Sequence, residues 1–167
     1  MLTDLSDTAA VAVSVAAWTV LGFLSGFTVS RIPLHRLDHD NWLTRLRRWE
    51  DGGRWYDRHL AVRRWKDRLP ELGGLFPGGT STRRLVGRDD AAILRFAAET
   101  RRAEIVHWAN LAAGPLFLLW CPPAIGAVMV AFGAVAHAPF VVIQRFNRGR
   151  LDELVARRQR RRPPTTT

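Results

Sequence analysis

Cysteine is almost absent from this chain: Cys121 stands alone in 167 residues, so no internal disulfide can form and a small cross-linked scaffold is excluded. Lysine is as scarce, with Lys66 the one lysine among 25 basic residues. Charge of either sign is missing from residues 8–30 and again from residues 105–144, whereas the rest of the chain is dense in it and carries the net +10. The mean hydropathy of −0.08 therefore averages two unlike populations. Such segregation excludes a disordered chain, a coiled coil and an evenly patterned soluble domain. No G-x-S-x-G occurs, no Lys follows the glycines of LGGLFPGGTSTRR (72–84), and no second E-x-x-H accompanies Glu104-x-x-His107. A nucleophile elbow, a Walker loop and a di-iron carboxylate site lose their signatures, and neither metal nor cofactor is called for.

What is present is apolar length. Residues 8–30 would reach roughly 34 Å as an α-helix, enough for a hydrocarbon core of ~30 Å. Asp4 and Asp7 precede that run without a single Lys or Arg, unlike the basic start of a signal peptide, so a retained span is expected. Residues 105–144 are too long for one span and suit two, at 105–121 and 124–144, separated by Cys121-Pro122-Pro123, where two prolines force a turn. Gly114-Pro115 predicts a kink within the first arm. Residues 31–104 hold 17 Lys and Arg against 11 acids, and residues 145–162 hold eight Arg against two. With three spans both basic blocks fall on the cytoplasmic side and the N-terminus outside. The expected architecture is an all-α integral membrane protein, one membrane domain over 1–167, with a cytoplasmic interfacial block at 31–104 and a basic tail at 145–167.

Within that block Trp42, Leu46 and Trp49 recur at amphipathic spacing, and Trp55, His59 and Val62 repeat it up to Leu69-Pro70. Aromatic residues backed by arginine predict helices lying at the headgroup level, in contact with membrane lipids. Residues 72–84 read as a connector, after which Asp89 or Asp90 caps a helix running into the bilayer. Gly22-x-x-x-Gly26 permits close helix contact, within one chain or between two.

The densest polar string lies where that helix enters the membrane: Glu99, Arg101, Arg102, Glu104 and His107. At ~100° per residue His107 is roughly 60° from Glu104 and 80° from Glu99, so either carboxylate is placed to orient the imidazole as a general base. Beyond the last span Gln144, Arg145, Asn147 and Arg148 emerge together, and guanidinium forks suit the phosphates of an acyl donor or an oxyanion. His35 to Asp40 contains an H-x-x-x-x-D string of the kind glycerolipid acyltransferases use, a match that two His and two Asp in six residues produce easily. His137 is an ionisable group inside a span. Nucleic acid is not an expected partner, since no recognition module accompanies the arginines.

The strings RIP (31–33), WEDGGRWY (49–56), RRWKDRLP (63–70), ETRRAEIVHW (99–108) and QRFNRGRL (144–151) together resemble the glycosyl-4,4′-diaponeurosporenoate acyltransferases, small membrane enzymes that complete staphyloxanthin-type carotenoids. The resemblance runs from about Arg31 to Leu154. It implies transfer of a fatty acyl group, from a coenzyme A thioester, onto the sugar C6 hydroxyl of a glycosylated carotenoid acid at the cell membrane. It supports Glu50, Trp65, Lys66, Glu99, Arg102, Glu104, His107, Gln144, Arg145, Asn147 and Arg148, and leaves out the His35 to Asp40 string. The expected roles are His107 as base with Glu104 or Glu99 orienting it, and Arg102, Arg145 and Arg148 on donor phosphates or the oxyanion, with Gln144, Asn147, Lys66, Trp65 and Glu50 completing the substrate site. A glycolipid acyltransferase of the same chemistry and a non-catalytic, arginine-rich membrane adaptor are the rival readings.

Overall fold

The computed structural model describes residues 5–70, 85, 87 and 89–161. Among the described residues every regular element is helical. Helix α1 spans Asp7–Ser30, begins where the Ser6 hydroxyl accepts from the Ala9 amide, and stops before Pro33. Helix α4 spans Asp90–Ala113, and its cap is Asp89, whose carboxylate accepts from the Ala92 amide at 3.1 Å. Helix α5 spans Pro123–Arg161 and opens at the expected Pro-Pro turn. Between α1 and α4 lie two short helices, α2 (Arg54–Leu60) and α3 (Val62–Trp65). The connector expected at 72–84 lies outside the described residues.

Two expectations need correction. The apolar arm after α4 does not merely kink at Gly114-Pro115: the α-helix ends at Ala113 and the chain continues as a 3-10 helix over Gly114–Leu119. Pro115 has no N–H to offer the Leu111 carbonyl, so the ladder is interrupted there. Helix α5 runs unbroken for 39 residues, roughly 58 Å, so the expected 144/145 boundary between span and basic tail falls within one helix. Finally, residues 42–49 do not form an amphipathic helix. The Asn41 side chain accepts from the Leu43 and Thr44 amides, both at 2.9 Å, and the chain turns there before a 3-10 helix at Arg48–Gly53. The second aromatic segment is likewise divided, at Ala61, whose φ of 49° separates α2 from α3.

Helices α1 and α5 are each long and apolar enough to cross a membrane. They pack with α4 as an antiparallel trio. Ser14 lies 3.2 Å from Cys121, Trp18 stacks on Phe117 at 4.7 Å, and Asn110 donates to Ser25 at 2.8 Å, so α1 rises as α4 and its 3-10 extension descend. An added Cβ at Gly133 would meet the Trp18 ring at 2.6 Å; the glycine lets the indole lie against α5. The outward faces carry exposed Val15, Val20, Phe23 and Leu24 on α1, Leu116, Leu118 and Leu119 after α4, and Val128, Phe132 and Val135 on α5. A contiguous apolar surface of this extent suits lipid rather than water.

The C-terminal half of α5 is covered by the 48–69 segment. Tyr56 and Val62 join Ile143 and Phe146 in one core, with Trp55, Trp65 and Leu69 against it. This contact depends on Gly149, where a Cβ would lie 2.0 Å from the Gly52 carbonyl oxygen. Gly149→Ala should therefore cost at least the ~1–3 kcal/mol of an overpacked core, seen as a lower unfolding temperature in detergent. Gly22→Ala, where nothing lies within 4 Å, is the matched control expected not to lower that temperature and, with alanine the better helix former, to raise it slightly.

Candidate active site at the α4/α5 junction

The charge-free and charged halves of α5 meet at Gln144, and the buried ionic groups gather there. Glu50, Glu104 and Arg148 are at most 1% exposed and Arg145 is 6% exposed. Charges so deep require partners. The Nε and Nη2 groups of Arg145 donate to the two oxygens of Glu50 at 2.6 and 2.9 Å, and Nη1 donates to Glu104 Oε1 at 2.5 Å. Nη1 also donates to the Leu43 carbonyl at 3.1 Å, and Nη2 to that of Arg45 at 2.9 Å. Five N–H groups thus meet five protein acceptors. Arg148 Nη2 donates to the Thr44 carbonyl and forms an ion pair with the other Glu104 oxygen at 2.5 Å, short of hydrogen-bond geometry.

These contacts explain the irregular backbone at 42–47. The carbonyls of Leu43, Thr44 and Arg45, which a helix would spend on its own amides, serve the two guanidiniums of α5 instead. Glu50 closes the cradle. It accepts from the Arg47 amide and from the Tyr56 hydroxyl as well as from Arg145.

Burial works against the Glu50 carboxylate, yet the hydrogen bonds from Arg145, Arg47 and Tyr56 outweigh it and hold the group below its ordinary 4.5. Burial, reinforced by the Glu50 charge, pushes the Tyr56 phenol up. A lowered folded pKa means that the unfolded chain binds the proton more readily, so the stabilisation is complete above 4.5 and lost as pH falls through the lower folded value. The acid side of a plot of unfolding temperature against pH should accordingly be steeper in the wild type than in Glu50→Gln.

The remaining predicted site residues divide into three groups. Glu99 and Arg102 pair on α4, with Arg102 Nη1 donating at 3.0 Å and Nη2 reaching the Ile32 carbonyl at 2.8 Å. Burial pushes the Glu99 carboxyl up despite the nearby arginines. Gln144 and Asn147 are buried beside Arg145 and Arg148 on α5. Trp65 and Lys66 stand apart from the ionic network: the indole donates to the Leu60 carbonyl at 2.8 Å and packs on the Tyr56 core, and the ammonium pairs with Asp67 at 3.0 Å.

His107 differs most from expectation. Neither Glu104 nor Glu99 hydrogen-bonds it. Its Nδ1 lies 3.1 Å from Nδ1 of His137 on α5, and its ring stacks on Phe140 at 4.7 Å and 9°. Glu104 is on the right arc of α4, but two guanidiniums and the Trp108 indole claim its oxygens. Charge-assisted bonds to arginine outcompete a neutral imidazole. Of the His35 to Asp40 string, Leu37 is buried and its carbonyl accepts from Arg101 Nη1 at 3.0 Å, and the Asp40 carboxylate accepts from Arg101 Nε at 2.6 Å, while His35 and His39 stay exposed.

A sequence model of the glycosyl-4,4′-diaponeurosporenoate acyltransferases matches residues 39–157. The chain belongs to this family. A glycosyl-4,4′-diaponeurosporenoate acyltransferase of Staphylococcus aureus strain bovine RF122 / ET3-1 is 25% identical to it over 132 residues, 79% of each chain. The protein of the same name from strain USA300 is 27% identical over 112 residues, 67% of each chain. No solved structure matches. The stretch shared with this acyltransferase family takes in the cradle at 43–45, Glu50, Tyr56, Glu104, both paired histidines, Arg145 and Arg148.

Tyr56, Thr44 and Trp108 were not among the residues singled out by spacing. For Tyr56 a signal existed: it is the only tyrosine of the chain and lies in one of the five strings. The Thr44 carbonyl has no sequence signature, because backbone acceptors are common to every residue.

Proposed function

We propose that this chain is a membrane O-acyltransferase that esterifies a sugar hydroxyl of a glycosylated carotenoid acid, drawing the acyl group from a coenzyme A thioester. The observation that carries this reading is an imidazole on α4 one turn beyond a buried, charge-balanced network, in a chain whose family is named for that reaction. The acceptor oxygen attacks the thioester carbonyl as His107 Nε2 takes its proton; the C–S bond then breaks and the imidazolium returns the proton to the leaving thiolate.

The arginines divide this work. Arg145 has spent its donors on Glu50, Glu104 and the 43–45 backbone, so it holds the site together. Arg148 keeps Nε and Nη1 without a hydrogen-bond partner among the described residues, Nε lying 3.8 Å from the Asp40 carboxylate, and serves as donor to the developing oxyanion or to a substrate oxygen. Arg102 Nε is similarly unspent.

In this reading α1, the 105–121 arm and residues 124–144 of α5 cross the bilayer, with both basic blocks on the cytoplasmic side. The nine residues of α4 from 105 to 113 and the 3-10 extension together rise roughly 25 Å, close to a hydrocarbon thickness. Trp42 and Trp49, 78% and 57% exposed, belong at the headgroup level beside their arginines. Both substrates have long apolar chains and reach the site laterally, while the sugar and thioester meet at the polar end of the helices.

The test is direct: purified protein in lipid nanodiscs, given acyl-coenzyme A and a glycosylated C30 carotenoid acid, should form the ester, read by mass spectrometry as one added acyl chain. Failure to form it under conditions where a staphylococcal relative does would overturn the assignment.

A further inference from the structure

We infer that His137 is a positioning residue for the transfer: its Nδ1 accepts from His107 Nδ1–H, which fixes His107 in the tautomer whose Nε2 lone pair faces the acceptor hydroxyl. This rests on the acyltransferase reading above and names the group that orients its base.

The argument is one of proton counting. Two neutral imidazoles carry one N–H each, and the 3.1 Å between the two Nδ1 atoms is a hydrogen bond only if one of them is protonated and the other is not. The ring that donates then has a bare Nε2, and the ring that accepts has its proton on Nε2. A pair joined in this way always presents one base and one donor. Without the second ring, a histidine in an apolar site populates both tautomers and is a base at Nε2 in only one.

Location decides which ring is the base. His107 follows Glu104 by three residues, next to the charged network where a sugar would be held. His137 lies seven residues before Gln144, within the apolar half of α5 and 5.7 Å from the Trp18 ring. The flat stack of His107 on Phe140 restricts rotation about its outer bond, so the Nδ1 contact also sets where Nε2 points. Glu104, the orienting group that helix geometry suggests, is occupied by Arg145 and Arg148. The orienting acceptor comes from the neighbouring helix instead.

Asparagine and leucine at position 137 separate positioning from packing, because the Asn carbonyl can stand where Nδ1 does and Leu only fills space. His137→Leu should lose roughly ten- to a hundredfold in kcat with little change in KM, as for loss of a partner that orients a reacting histidine, and His137→Asn should recover most of that. Equal losses in Asn and Leu proteins of equal unfolding temperature would overturn the inference. A second measurement needs no turnover. In 15N-histidine-labelled protein in nanodiscs, His107 should show the Nδ1–H signature in the wild type and in His137→Asn, and a mixture in His137→Leu. An Nε2–H signature for His107 in the wild type would mean that the pair is polarised the other way and would remove the assignment, even if ester formation itself succeeds. Absence of ester formation with the Nδ1–H signature intact would instead strike the substrate reading and leave the tautomer assignment standing.

Discussion

His107→Ala protein should transfer acyl groups ~10²–10⁴-fold more slowly than the wild type, the range a positioned general base contributes, while remaining folded with its ionic cradle intact. The two halves of that expectation come from different contacts. The imidazole has no hydrogen bond to the ionic network, since Glu104 is turned to Arg145 and Arg148, so its removal leaves the cradle whole. What is lost is the base, its Nδ1 hydrogen bond to His137 and one face of the Phe140 stack. Kinetics with acyl-coenzyme A and glycosylated acceptor measure the first half and thermal unfolding in the same nanodiscs the second. His107→Gln should be nearly as slow, because an amide cannot take a proton from a hydroxyl near neutral pH. A membrane adaptor that works through charge alone would tolerate either change, so wild-type rates in both would sink the base assignment.

The largest loss of stability is expected at Arg145. Arg145→Leu removes five donors at once and leaves Glu50 and Glu104, both fully buried, without their shared cation. Breaking a buried ion pair from one side costs about 3–5 kcal/mol, most of it the penalty of an uncompensated buried charge. The variant should unfold many degrees below the wild type or fail to accumulate in the membrane. If uncompensated charge is the cause, adding Glu50→Gln and Glu104→Gln to Arg145→Leu should raise the unfolding temperature again, although three polar groups have then been altered. A triple variant no more stable than the single one would show that the lost bonds to the 43–45 carbonyls dominate. Arg148→Lys makes a useful contrast. An ammonium can keep the ion pair with Glu104 and the bond to the Thr44 carbonyl but not the donors that Nε and Nη1 hold in reserve, so transfer should fall while the fold persists.

Both predictions turn on residues that lie in the strings resembling the family, and the resemblance itself is borne out by the match over residues 39–157. The helical character, the long apolar α1 and α5, the Pro-Pro turn at the start of α5 and the Asp89 cap were all readable along the chain. Each depends on residues within a few positions of one another: a run without charge, a proline that cannot donate, a carboxylate at the right offset from an amide. The same local reasoning failed at 42–49. Helical spacing is present there, but guanidiniums from about a hundred residues later claim the carbonyls that a helix would need.

The amino-acid sequence by itself therefore determined where apolar length, turns and charge fall, and which residues were available for chemistry. Only the tertiary structure decided who partners whom. Glu104 has a suitable imidazole one turn away on its own helix and pairs instead with two arginines 41 and 44 positions on; His107, left without a carboxylate, meets His137. Helical periodicity places neighbours on an arc but cannot rank them against groups arriving from another helix. In a buried site that ranking follows charge, and a carboxylate goes to the guanidinium that would otherwise be buried alone.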